Sequence, residues 1–284
     1  MTFFLFVVFF FLIMALGVVV SLILGSSFFV LLFAILAIVY ILVAYYNSDR
    51  IVTALSGAKL ADPREYKQLH NIVEEMALAA GVPKPKVYVI HDTAINAFAT
   101  GRNPEHAVVC VTIGCLKRLT REQLTGVVAH EMSHVKNYDI RVMTMAAILV
   151  GLTVLLSDFL LRMFLWGGIG RGRSKDNGIG IALIALGLLL AILTPFIAQI
   201  IKFAISRQRE FLADASAVQM TRYPLGLAGA LEAISKDTEP LEAANKATAH
   251  LYIANPLKGQ KIWFKGLFSS HPPIAERIAK LRGL

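Results

Sequence analysis

The sequence predicts an α+β domain interrupted by apolar helices, about four of which are long enough to cross a membrane. Three observations predict this. Residues 1–48 contain no Asp, Glu, Lys or Arg. A second pair of apolar stretches separates two polar segments. Within the polar segments, period-2 alternation and helical periodicity take turns. Composition agrees: of 284 residues, 56% are hydrophobic and 17% charged, with a mean hydropathy of +0.64. A chain with that much apolar surface offsets its ordering entropy, which excludes disorder. Two cysteines, Cys110 and Cys115, make no disulfide framework and read as buried free thiols. The net charge is +9. Its basic residues form no stripe, which argues against nucleic acid as a partner. They flank the apolar spans instead, as contact with a lipid bilayer requires.

The elements follow in order. Residues 1–46 form a transmembrane hairpin: Thr2–Leu24 and Ser27–Tyr46 each reach the ~20 residues a span needs, and Gly25-Ser26 is a tight link. A cleaved leader is disfavoured, because no basic stretch precedes the first span and a second follows at once. Residues 47–141 are the first polar part. Asp62 as N-cap, Pro63 at the first helical position and Glu65 near the positive end predict a helix start. Leu69, Ile72, Val73, Met76 and Ala80 give it an apolar face, and Gly81 and Pro83 stop it. Lys86–Ile90, Asn96–Gly101 and Ala107–Thr112 read as strands, the last largely buried. Thr120 with Gln123 is a capping box that opens the next helix.

Residues 142–205 hold the second hairpin, Val142–Leu156 and Ile179–Ile201, joined by a basic glycine-rich loop. A buried or re-entrant pair is the alternative. In 206–284, the second polar part, Lys202–Met220 continues as a helix from the fourth span, and Pro224–Ser235 and Pro272–Leu281 are further helices. With four spans, both polar parts share one side of the membrane. That side carries 24 lysines and arginines against four in the 162–178 loop, so it faces the cytoplasm.

The capped helix contains His130-Glu131-Met132-Ser133-His134. Residues four apart share a helical face. Two imidazoles there hold one Zn²⁺ ion, and the intervening Glu faces a water on the metal. Composition alone yields this pattern roughly 0.007 times in such a chain. A catalytic zinc wants a third protein ligand. Glu210 is the best candidate, because a two-span detour returns the chain to the same membrane surface; His250 and His271 compete. Asp214, one turn beyond Glu210, is placed to accept a hydrogen bond from a ligand histidine. Asp139 reads as half of an ion pair at the helix end rather than as a ligand.

With these residues the sequence resembles the HtpX-type membrane zinc metalloproteases, relatives of the CAAX prenyl proteases. His130-Glu131-x-x-His134 and Glu210-x-x-x-Asp214 carry the resemblance, joined by Asn96-Ala97-Phe98-Ala99-Thr100-Gly101 and by Ser270-His271-Pro272-Pro273 with Glu276-Arg277-Ile278. It implies one zinc per chain on His130, His134 and Glu210, with Glu131 as general base. It also implies a zincin-like (gluzincin) α+β catalytic domain combined with about four transmembrane helices, in the bacterial inner membrane, with the site facing the cytoplasm. It places the C-terminal motif near the site, which makes His271 and Arg277 candidates for a second oxyanion donor. The structural alternatives are that Arg277 pairs with an acid and His271 caps the last helix. Asn96, Ala97, Phe98 and Ala99 form an edge strand to which an extended polypeptide can add; an internal strand is the alternative.

The expected function is hydrolysis of misfolded or damaged membrane proteins. Its rivals are a CAAX-type prenyl protease and a non-catalytic zinc-dependent membrane scaffold or chaperone. Against the first, four spans leave little material for an enclosed chamber. Against the second, a purely structural zinc site has no use for Glu131. No residue pattern specifies an oligomeric state.

Overall fold

The computed structural model describes residues 2–149, 151–152, 207–242, 248–254 and 272–284. The fourth expected span, residues 150 and 153–156 of the third, the loop between them and His271 lie outside the described residues.

Helix α1 (Thr2–Leu24) and helix α2 (Phe28–Tyr46) form the expected hairpin, turning at Gly25 with φ +66°. Both are long and apolar enough to cross a membrane. Leu5, Phe9, Ile13 and Leu16 are buried, while Phe3, Phe4, Phe11, Leu22, Leu31, Ile35 and Val39 are exposed. Water tolerates so large an apolar face poorly, and a bilayer suits it.

After α3 (Ser48–Leu55) come β1 (Lys59–Leu60), α4 (Lys67–Ala80), β2 (Lys86–Ile90), β3 (Ala97–Thr100) and β4 (Val108–Thr112). The predicted start of α4 is corrected. Asp62 caps a turn of its own, accepting the Arg64 N–H at 2.7 Å, while its carbonyl accepts the Tyr66 N–H at 2.9 Å. An Asx turn competes with helix entry, and the helix begins only at Lys67. Its apolar face is the predicted one, closed by a left-handed Gly81.

The sheet order is β1-β2-β4-β3, with β2 parallel to β4 and β3 antiparallel to it. Alternation along β4 divides the core. Val109 and Val111 join Leu69, Ile72, Val127 and Leu231 on one face. Val108 and Cys110 join Phe98, Tyr252 and the buried side of α1 and α2 on the other. Phe98 meets Tyr252 edge to face at 5.0 Å. The sheet thus lies between a helical layer and the membrane hairpin.

Helix α5 (Ile113–Arg118) leads to α6 (Arg121–Lys136), and a helix over 139–149, here α7, follows. Beyond the second apolar region stand α8 (Arg207–Thr221), α9 (Pro224–Lys236) and α10 (Ile274–Arg282). Helices α6 and α9 approach through glycines. A Cβ on Gly126 would stand 2.6 Å from the Leu227 nitrogen, and one on Gly226 would stand 2.7 Å from the Glu122 carbonyl oxygen. Through this crossing α6 runs buried from Gly126 to Val135.

Candidate metal centre

The capping box at Thr120 fixes where α6 begins. Its hydroxyl accepts the Gln123 N–H at 3.3 Å, and the Gln123 side chain accepts the Thr120 N–H at 3.0 Å. Ten residues on, His130 and His134 project from one buried face with their Nε2 atoms 3.2 Å apart. From α8, Glu210 brings its carboxylate to 3.7 Å from the His130 Nε2 and 3.5 Å from the His134 Nε2. Side-chain exposure of these three is 4% or less.

These residues fit a metal ion. Ligand atoms ~2.0–2.1 Å from a tetrahedral ion lie ~3.3–3.4 Å apart, close to the observed triangle. The other ring nitrogens agree. His130 Nδ1 lies 2.9 Å from Asp214 Oδ1, and His134 Nδ1 lies 3.1 Å from Asp139 Oδ2. A carboxylate at Nδ1 holds the proton there and leaves the Nε2 lone pair facing inward. Two lone pairs and a carboxylate then converge with no proton between them, which is a cation site.

Asp214 is fixed in turn by Arg277 of α10, which grips it with Nε at 2.8 Å and Nη2 at 2.7 Å. The Arg277 Nη1 donates to the Ile253 carbonyl at 3.1 Å, and the side chain is fully buried. Burial pushes the Asp214 carboxyl up, but hydrogen bonds from His130 and Arg277 outweigh it and hold the group at about 2. Of the two roles open to Arg277 from sequence, the acid pair is the one its hydrogen bonds make.

Glu131 is 2% exposed. Burial raises its carboxyl above the ordinary range, the adjacent His130 and His134 oppose this, and the Glu210 charge adds to it. The Ala99 main chain lies beside the same carboxyl group. A cavity of about 180 Å³ is lined by His134, Glu210, Asp139, Arg209 and Thr2, the first residue of α1. The space beside the metal ligands therefore reaches the end of an apolar helix.

Among the described residues, strand β3 stands at a sheet edge. Its outer side is partly engaged within the chain. The Ala97 carbonyl accepts the Ile253 N–H at 2.9 Å, and the Ala97 N–H donates to the Asn96 side chain at 3.1 Å. Asn96 itself is buried and donates to the Ala254 carbonyl at 3.1 Å. Phe98 packs into the core beside Tyr252. Ala99, next to Glu131, is the strand residue nearest the chemistry.

The His250 Nε2 lies 3.0 Å from the Met143 carbonyl, and the cluster that could hold a metal among the described residues is His130, His134 and Glu210. Cys110 and Cys115 are buried free thiols, with Cys115 pushed up to about 12 by burial. Two contributors were not legible. The contact of Asp139 with His134 depends on Tyr138 at φ +59°, a reversal that no glycine announces. Ile253 lies in a stretch whose pattern favours neither helix nor strand.

The profile of Peptidase family M48 matches residues 63–284. A protein named Protease HtpX homolog from Caldanaerobacter subterraneus subsp. tengcongensis is 51% identical over 256 residues, covering 90% of this chain and 84% of that protein. One of the same name from Listeria monocytogenes serotype 4a is 42% identical over 286 residues, covering 97% and 94%. Among solved structures, the crystal structure of S. mikatae Ste24p matches with a TM-score of 0.53 at 20% identity. That match covers 95% of this chain and 62% of the other, and it is a likeness of fold. The chain belongs to peptidase family M48, as a membrane metalloprotease of the HtpX type.

Proposed function

We propose that the chain is a zinc-dependent endopeptidase, one zinc per chain, that hydrolyses misfolded or damaged membrane proteins at the cytoplasmic face of the bacterial inner membrane. The observation that carries this reading is the buried triangle of His130, His134 and Glu210 with Glu131 beside it. A zincin-like (gluzincin) arrangement accounts for the two histidines on one helix, the carboxylate on a second, and an antiparallel edge strand beside the first. Four spans account for the charge balance and bring Glu210 back to the motif helix.

Bound at this triangle, zinc supplies Lewis acidity toward water and toward the scissile carbonyl. The chain does the rest. Ala99 on β3 offers the edge at which an extended substrate pairs, while Asn96, Ala97 and Phe98 hold that strand in place. Glu131 accepts the proton of the attacking water and delivers it to the leaving amine. Its burial raises its basicity for the first task. Asp214 and Arg277 hold His130 in the ligating tautomer; Arg277 is a positioning residue in this reading. The cavity that reaches the first residue of α1 supports substrates that arrive along the membrane.

The test uses the full chain purified in detergent with an unfolded polypeptide and a prenylated peptide as substrates. Wild type cleaves the unfolded polypeptide, and Glu131→Gln retains zinc with proteolysis reduced ~10²–10⁴-fold. Cleavage confined to the prenylated peptide would favour the CAAX-type reading. Equal activity in wild type and Glu131→Gln would refute the assigned base.

A further inference from the structure

Asp139 reaches the second ligand histidine, and Arg209, which has no part in the function described above, is paired with it. Asp139 opens α7, five residues after His134, and its carboxylate lies 3.1 Å from His134 Nδ1. The carboxylate is 6% exposed. Its other oxygen is paired with the Arg209 guanidinium. Arg209 immediately precedes Glu210, and its own side chain is 49% exposed.

Their places in the chain give the pair its meaning. His134 and Asp139 stand before the second apolar region; Arg209 and Glu210 stand after it. Two metal ligands from opposite ends of that detour are therefore each a few residues from one half of a single ion pair. Neighbours on a helix point ~100° apart, so α8 can turn Arg209 to Asp139 while Glu210 faces the Nε2 atoms. The left-handed Tyr138 bends the chain after α6 so that Asp139 falls back over His134. A non-glycine residue in that conformation is strained, a cost that a contact made there offsets.

We propose that the Arg209–Asp139 pair is a clasp between the chain segments that flank the second apolar region, which orients the His134 ring and sets Glu210 against it, so that both are positioning residues for the metal. The clasp is the counterpart of Arg277–Asp214 on His130. The two differ in setting: Arg277 is fully buried and Arg209 half exposed. Removing Arg209 strands no buried cation, but it leaves the Asp139 carboxylate, 6% exposed, without this cation, so metal-free stability is measured beside the zinc affinity.

The inference rests on zinc binding at His130, His134 and Glu210, and its test separates the two. Zinc affinity of the full chain in detergent is measured by competition with a chromophoric chelator, for wild type, Arg209→Gln, Asp139→Asn, the double variant and Glu210→Ala. Melting of the metal-free forms and the visible spectrum of the cobalt-loaded forms are recorded alongside. Arg282→Gln, which removes an exposed arginine paired with Glu232, is the control. The clasp predicts a 10–100-fold loss of zinc affinity in each single variant. It also predicts a double variant within about threefold of the weaker single, a shifted cobalt spectrum, and a fall in metal-free melting too small to account for the loss of zinc affinity. Affinities within threefold of wild type would overturn it, as would losses that multiply in the double variant. Losses matched by an equal fall in metal-free melting would also overturn it, since they mark a purely structural pair. If Glu210→Ala keeps wild-type affinity, the parent reading fails; if it loses zinc while the clasp variants keep theirs, the clasp alone fails.

Discussion

Arg277 and Asp214 show how one buried contact serves both stability and chemistry. The guanidinium is 0% exposed, grips Asp214 and the Ile253 carbonyl, and stands 3.8 Å from the Glu210 carboxylate. Arg277→Ala leaves Asp214 buried without its partner, and thermal unfolding should report a loss of ~3–5 kcal/mol. The pH dependence has a definite sign. The Asp214 carboxyl is depressed from its ordinary 3.8 to about 2 in the folded chain. Its contribution is therefore fully present above about 3.8 and is lost as pH falls through about 2. For the metal-free protein, the stability gap between wild type and Asp214→Asn should be constant at neutral pH and shrink across that interval. A gap that widened with acid would contradict the assignment. At this scale the pairing of His130 and His134 was legible, because spacing four apart on a helix dictates a shared face. Asp139 was legible as half of an ion pair, which Arg209 completes, but its bond to His134 was not: that bond follows a backbone reversal at Tyr138, and a tyrosine gives no sign of one.

The elements that matter most are α6 and β3. The capping box set the start of α6 from sequence alone, because a reciprocal side-chain and backbone pair is a local device. Its crossing with α9 was invisible, since two glycines in separate helices declare nothing about each other. Gly126→Ala forces a methyl group to 2.6 Å from the Leu227 nitrogen. Overpacking of this kind costs ~1–3 kcal/mol, and calorimetry should find Gly126→Ala destabilised although alanine is the better helix former. Strand β3 is held at its far end by α7: Thr144 Oγ1 lies 2.8 Å from Thr100 Oγ1 and accepts the Gly101 N–H at 3.1 Å. The start of α4 was misjudged for a local reason, since Asp-Pro satisfies an Asx turn as readily as a helix cap.

Across the whole molecule, the sheet carries one apolar face toward α4, α6 and α9 and the other toward the membrane hairpin. Hydropathy revealed the hairpin, but not that its buried side would supply part of the sheet's core. Helix α7 ties these parts together: the Tyr40 hydroxyl of α2 donates to the Ile148 carbonyl at 3.3 Å, and Asp139 at the other end meets His134. The proposed topology predicts that Glu74→Cys reacts with an impermeant thiol reagent only after the membrane is opened, while Ser174→Cys reacts in intact cells. The native cysteines are both 0% exposed and stay silent. Labelling of both positions from the same side would remove the four-span arrangement.

Zinc stoichiometry of the purified full chain tests the central claim most directly, with metal content determined for wild type, Glu131→Gln and Glu210→Ala. One zinc per chain in the first two and loss of zinc in the third is the result the account predicts. A full equivalent retained by Glu210→Ala would contradict it.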